Sequence, residues 1–150
     1  MLLGEYLVAK KIVTKAVLES ALAEQKKTGE FLGNILLRRQ LVTEEELVKA
    51  LADQFGMGFV KLKNEVIDWN VTTRYSSQLV IDHKCFPYRE DDNGVTVAVS
   101  NPLDADAIRM AETESRNRRL RVMLAVPREI DEMVRQYKDR VADKIRRMLS

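Results

Sequence analysis

Cysteine and histidine are scarce in this sequence, and each scarcity excludes something. Cys85 is the only cysteine, so no internal disulfide can form and a reducing compartment is the expectation. His83 is the only histidine, and with Asp82 and Cys85 it makes too poor a cluster for a structural zinc site, which takes four ligands at recognisable spacing. No apolar run approaches the ~20 residues needed to span a bilayer. Glu5, Lys10 and Lys11 interrupt the apolar N-terminus, so a signal-peptide pattern is lacking and a cytoplasmic protein is expected. A Walker loop, G-x-x-x-x-G-K-[ST], is also missing: Gly29 and Gly33 are followed by Asn34 rather than lysine.

What is present is an ordinary globular balance of 45% hydrophobic and 32% charged residues, in a chain of 150 residues with room for one domain or two small ones. The net charge of +2 conceals a gradient. Residues 1–55 carry eight basic and eight acidic groups, residues 56–115 six and ten, and residues 116–150 eleven and five. Acidic groups interrupt the basic tail, which favours a solvated helix face over a nucleic-acid surface, and no nucleic-acid partner is expected.

The clearest internal signal is a repeat. Residues 3–25 and 32–54, offset by 29, are identical at ten of 23 positions: Leu3/Leu32, Gly4/Gly33, Leu7/Leu36, Val13/Val42, Thr14/Thr43, Leu18/Leu47, Ala21/Ala50, Leu22/Leu51, Ala23/Ala52 and Gln25/Gln54. Chance gives about one or two, so this is a duplicated supersecondary unit. Each copy reads as a short helix, a turn and a longer helix. Thr43 with Glu46 has capping-box spacing, whereas Thr14 faces Val17 at the matching position and caps without the reciprocal bond. Leu18, Ala21, Leu22 and Gln25 share one helical face, as do Leu47, Ala50, Leu51 and Gln54. Two such pairs predict a four-helix unit that neither pair stabilises alone.

After Gly56 and Gly58 the pattern changes. Phe59, Val60 and Leu62 predict a short strand, residues 71–79 a weak helix, and residues 84–89 a strand in which Pro87 demands an edge or a bulge. Residues 91–94 form a turn, 95–99 the strongest strand, Asp104–Glu114 a helix and 120–126 a further strand. Pro127 opens a final helix with Ile130, Met133, Val134, Tyr137, Val141, Ile145 and Met148 along one side. Its last 10 residues are expected to be helical only under a neighbouring domain. The fold class is therefore α+β: a duplicated helical subdomain (1–55), a small α/β subdomain with a mixed sheet (56–138), and a helical extension or linker (139–150). No catalytic residue, metal or cofactor is expected. Trp69 and Tyr75 read as core or interface aromatics, Asp91 and Asp92 as turn residues, and Asp104 and Asp106 as favourable charge in a first helical turn.

The repeat, together with Val97-Ala98-Val99-Ser100-Asn101-Pro102-Leu103-Asp104, resembles the N-terminal domain of type II secretion and type IV pilus assembly ATPases over about residues 2–137. The family pattern is an arginine, Leu-Gly, a leucine three residues after the glycine, a second glycine and a Leu…Leu…Gln helix, given twice with a five-residue spacer, here Lys26–Glu30. Leu3, Gly4, Leu7, Leu18, Leu22 and Gln25 match one copy; Leu32, Gly33, Leu36, Leu47, Leu51 and Gln54 match the other. The resemblance implies a non-catalytic docking and regulatory module. Its implied partners are the cytoplasmic domain of an inner-membrane platform protein and a C-terminal ATPase domain of the same protein, with peripheral membrane association through the partner. It also implies a cyclic di-GMP surface at Leu3, Gly4, Leu7, Leu32, Gly33 and Leu36. The arginine positions, however, are Leu2 and Phe31, and the second-glycine positions are Lys11 and Gln40. Arginine supplies charge and a planar stacking surface, and glycine permits close ligand approach. Cyclic di-GMP is thus expected to bind weakly or not at all. Lys11, Arg38 and Arg39, beside the turns, are the interaction candidates. The alternatives are a cyclic di-GMP sensor, or the same module in an unrelated envelope or signalling protein.

Overall fold

The computed structural model describes residues 2–150. It divides into two compact units, Met1–Met57 and Gly58–Ser150.

The first unit holds helices α1 (Leu3–Ala9), α2 (Lys15–Thr28), α3 (Leu32–Arg38) and α4 (Glu44–Gln54). Its core is Leu7, Val13, Leu18, Ala21, Ile35, Leu36, Val42, Leu47 and Ala50. All but Ile35 are pairs under the 29-residue offset, so the duplicated apolar positions are the ones that fill the interior. α1 packs on α4 and α2 on α3, so the short helix of each copy leans on the long helix of the other. Neither copy closes its core alone. Thr14 Oγ1 accepts from the Val17 N–H at 3.2 Å. Thr43 and Glu46 exchange both capping-box bonds, at 3.0 and 2.9 Å. α2 ends at Gly29 in the left-handed region, φ 73°, where its N–H reaches the Gln25 carbonyl.

The second unit is a four-stranded mixed sheet with helices. Its strands are β1 (Gly58–Phe59), β2 (Phe86–Asp91), β3 (Gly94–Val99) and β4 (Leu120–Leu124), in the order β1-β4-β3-β2. β4 runs parallel to β1 and β3, while β2 pairs antiparallel with β3. β3 is buried at every residue, as a central strand must be when both faces are covered. The parallel β3–β4 pair needs a crossover, and α6 (Ala105–Glu114) supplies it, capped by Asp104 on the Ala107 N–H at 3.0 Å. Pro87 sits on the edge strand where the register shifts between Pro87 and Arg89, a position that asks for no ladder N–H. α7 (Pro127–Leu149) starts with Pro127 in its first turn and buries Ile130, Met133, Val134 and Tyr137.

Three local expectations change. The strand expected through Leu62 stops at Phe59, and Leu62–Asn64 forms a 3-10 turn instead. β1 pairs only with β4, and turning the chain puts Leu62, with no exposed surface, beneath α7. The weak helix of 71–79 resolves into α5 (Trp69–Thr72) and a π-helical turn at Gln78–Asp82. α7 also runs unbroken to Leu149 although Ile145 and Met148 are exposed. Its length carries the helix past its last buried residue.

Candidate functional site

The turns that join the helices of each copy match closely. α1 ends with Lys11 in the left-handed region, φ 60°, and α3 ends with Gln40 there, φ 59°. The Lys11 N–H donates to the Val8 carbonyl and Ile12 N–H to Leu7; Gln40 N–H donates to Leu37 and Leu41 N–H to Leu36, all at 2.9–3.0 Å. This is the Schellman arrangement, in which the left-handed residue is most often glycine. The missing second glycines are therefore missing in side chain only. Lys11 and Gln40 hold the glycine-like backbone and project exposed side chains from it.

The six family-implied ligand positions differ in exposure. Leu7 and Leu36 have no exposed surface and build the core. Leu3 and Leu32 are half-buried against the same core. Gly4 and Gly33 are sites of close helix approach. A Cβ at Gly4 would lie 2.7 and 3.2 Å from the two Leu18 methyls, and one at Gly33 3.1 Å from a Leu47 methyl. What does face solvent is the pair at the family's arginine positions. Leu2 and Phe31 precede α1 and α3 on extended backbone and are 70% and 78% exposed.

Arg38 and Arg39 are engaged within the unit. Both guanidiniums bind Glu24 of α2, Arg38 also reaches Glu30 at 2.9 Å, and Arg39 reaches Ser20 at 3.1 Å. Hydrogen bonds from Arg39 and then Arg38 hold the Glu24 carboxyl below its ordinary range. Asp53, which the offset places in register with Glu24, accepts instead from the Tyr6 hydroxyl, and that bond pushes Tyr6 above its ordinary value. Both ties cross between copies. Sequence reading missed Glu24, Asp53 and Tyr6; the offset that pairs 24 with 53 was the available signal. Lys11 is the one interaction candidate of the three that stands exposed without a role in these ties.

The second unit offers little reactive chemistry. Cys85 is fully buried, and burial, with Asp104 and Glu114 nearby, pushes its thiol up to about 12, far from a thiolate nucleophile at neutral pH. Among the described residues no group of three His, Cys, Asp or Glu side chains is placed to hold a metal. An open cleft of about 800 Å³ is lined by Arg74, Glu90, Glu114, Arg116 and Arg118 among others. Arg74 pairs with Glu90 at 2.9 Å, and Ser76 occupies Glu114 through its N–H and hydroxyl, both at 2.7 Å. Tyr75 is buried with its hydroxyl 2.6 Å from Ser115 Oγ, and Trp69 meets Phe86 edge-on at 5.7 Å. No described helix is long and apolar enough to cross a membrane.

Residues 55–143 match the MshEN domain family. The matched span is the sheet-bearing part of the chain, while the repeat that carries most of the resemblance precedes it. The fold is similar to that of MshE solved with cdg, at a TM-score of 0.77 and 23% identity over 91% of this chain and 99% of that one. It is also similar to the N-terminal domain of XpsE, at 0.60 and 18% identity over 90% of this chain and 92% of that one. A second crystal form of that domain gives 0.53 and 20% over 89% and 92%. At such identities the likeness is one of fold. No curated protein matches the chain.

Proposed function

Because the chain belongs to the MshEN domain family, the N-terminal domain of type II secretion and type IV pilus assembly ATPases that its repeat resembles, we propose that it is a docking and regulatory module without catalysis of its own. Its partners on this reading are the cytoplasmic domain of an inner-membrane platform protein and an ATPase domain of the same protein. It works in the cytoplasm, held at the membrane by the platform. The family match over 55–143 carries the proposal. The N-terminal unit supplies the contact surface: Leu2 and Phe31 are large, apolar and exposed at equivalent points of the two copies, and Lys11 is exposed at the turn that ends α1. Exposed apolar groups are what a protein partner covers. Calorimetry of the full chain with the platform's cytoplasmic domain tests this. Leu2→Glu with Phe31→Glu should weaken binding about tenfold or more, since each side chain covers a substantial apolar area. Unchanged affinity would move the docking surface elsewhere. ATP turnover that tracks the purified chain would end the non-catalytic reading.

A second reading, cyclic di-GMP binding, is favoured by the left-handed backbone kept at Lys11 and Gln40 and by the cdg in the MshE structure. The side chains argue the other way. Leu2 and Phe31 cannot donate to phosphate, and each missing charge-assisted contact is worth ~1.5–3 kcal/mol. Two losses weaken binding by about two to four decades if they add. Phe31 can stack on a base, which restores contact area but no charge. The chain therefore binds this ligand weakly or not at all. A calorimetric dissociation constant near or below about 1 μM would reverse that.

A further inference from the structure

The distal half of α7 carries an apolar stripe that is half-buried at Val141 and exposed from Ile145 onward. Asp143, Lys144 and Arg147 line a cleft with Trp69, Asn70 and Thr73, and the Arg140 guanidinium lies 4.3 Å from the centre of the Trp69 ring. Every residue from 143 to 150 is exposed. Val141, Ile145, Met148 and Leu149 fall at i, i+4, i+7 and i+8 and form one apolar stripe, with Ile145, Met148 and Leu149 52%, 76% and 82% exposed. The family match ends at 143, so those three lie outside it.

The charges around the stripe are mostly positive. Residues 138–149 hold five basic groups and two acidic ones. At 100° per residue Lys138 lies within the apolar arc and Lys144 and Arg146 flank it, while Arg140 and Arg147 share the opposite side with Asp139 and Asp143. Asp143 is further occupied by Arg146 at 3.3 Å. Long cationic side chains beside an apolar stripe can extend to lipid phosphates while the stripe enters the acyl boundary. Two copies of this helix placed face to face would instead bring cation against cation, which argues against self-association. No described helix is long and apolar enough to cross a bilayer, and an apolar stripe on a net-positive helix suits one that lies in its surface.

We propose that the last three turns of α7 bind in the plane of an anionic bilayer, with Val141, Ile145, Met148 and Leu149 inserted and Lys138, Lys144 and Arg146 on the headgroups. The test is co-sedimentation of the full chain with vesicles of phosphatidylcholine alone or containing about one third phosphatidylglycerol. Partition onto the anionic vesicles should be roughly tenfold stronger and should fall with added salt. Ile145→Asp with Met148→Asp should lower it by about tenfold. Lys144→Glu with Arg146→Glu, which leaves the stripe intact, should remove the preference for anionic lipid. All four positions are exposed, so a retained far-UV CD spectrum separates loss of binding from loss of fold. No partition, equal partition onto both vesicles, or wild-type partition by both variants overturns the proposal. So does concentration-dependent self-association that the aspartate variant abolishes while vesicles are ignored. The vesicles carry no platform protein, so the outcome is independent of the docking reading above.

Discussion

The two copies of the repeat share a backbone and differ in how they are fastened. α1 and α3 are both seven residues long, end in the same left-handed turn, and lead to threonine caps with φ near −86° in both. The core pairs Leu7/Leu36, Val13/Val42, Leu18/Leu47 and Ala21/Ala50 are buried alike. The ties between copies are not alike: a carboxylate on α2 takes Arg38 at the end of α3 and Arg39 that caps it, and its counterpart on α4 takes a tyrosine hydroxyl from α1. These four core pairs are identical where side chains interlock at close packing, while the ties differ because a solvent-facing bond can be made in several chemistries.

The comparison is broken most sharply at the core. Leu7→Ala and Leu36→Ala should each cost ~2–5 kcal/mol, and by similar amounts, because both side chains are wholly buried at equivalent positions. Urea unfolding of the first unit measures this; a difference above about 2 kcal/mol would mean that the copies carry the core unequally. The glycines sharpen the contrast. Gly4→Ala pushes a methyl between both Leu18 methyls, with a Leu32 methyl at 3.4 Å, and should cost about 1–3 kcal/mol. Gly33→Ala meets Leu47 alone, at 3.1 Å, and should cost less by about 1 kcal/mol, since Leu47 can move and alanine favours the helix.

The caps come next. Thr43→Ala should cost ~1–2 kcal/mol and Thr14→Ala about half that, because only Thr43 belongs to a reciprocal pair with its N3 side chain. Equal losses would show that the Glu46 bond contributes little. At the turns the expected sign reverses. A left-handed non-glycine residue costs roughly 1–2 kcal/mol, part of which glycine gives back through the entropy of the unfolded chain. Lys11→Gly and Gln40→Gly should therefore each stabilise by about 0.5–1 kcal/mol. Destabilisation by either would show that its side chain makes a contact worth more than the strain.

These turns also mark the limit of what the sequence discloses. The duplication, both threonine caps, the edge position of Pro87 and the helix start at Pro127 depend on local pattern and are legible in the residues alone. The left-handed conformation at 11 and 40 is not, since neither lysine nor glutamine announces it. It is imposed by the two carbonyls that each turn must satisfy and by the packing of Ile12 and Leu41. The pairing of Arg38 and Arg39 with Glu24 spans 14 and 15 residues and depends on which copy packs on which. Arginines beside a turn look free in sequence for that reason. The fate of Leu62 likewise depends on α7, 65 residues further on at its start, which no local window contains.

The smallest expected effect distinguishes the two ties by pH. Glu24 and Asp53 occupy equivalent positions, so identical fastenings would weaken at the same end of the pH scale. The Glu24 tie requires the carboxylate. Its folded pKa lies below the unfolded value, so its stabilisation is complete above the unfolded pKa and is lost as pH falls through the folded one. The Tyr6 tie requires the phenol. Its folded pKa lies above the unfolded value, so its stabilisation is complete below the unfolded pKa and is lost as pH rises through the folded one. The α2–α3 side should thus loosen in acid and the α1–α4 side in alkali. Both ties are solvent-facing, so each effect is small and screened by salt. Urea midpoints across pH for wild type, Glu24→Gln and Tyr6→Phe separate them. Glu24→Gln should flatten the acid limb and leave the alkaline one unchanged; Tyr6→Phe should do the reverse. Should both variants flatten the same limb, Glu24 and Asp53 would be doing one job, and the copies would differ in sequence without differing in how they hold together.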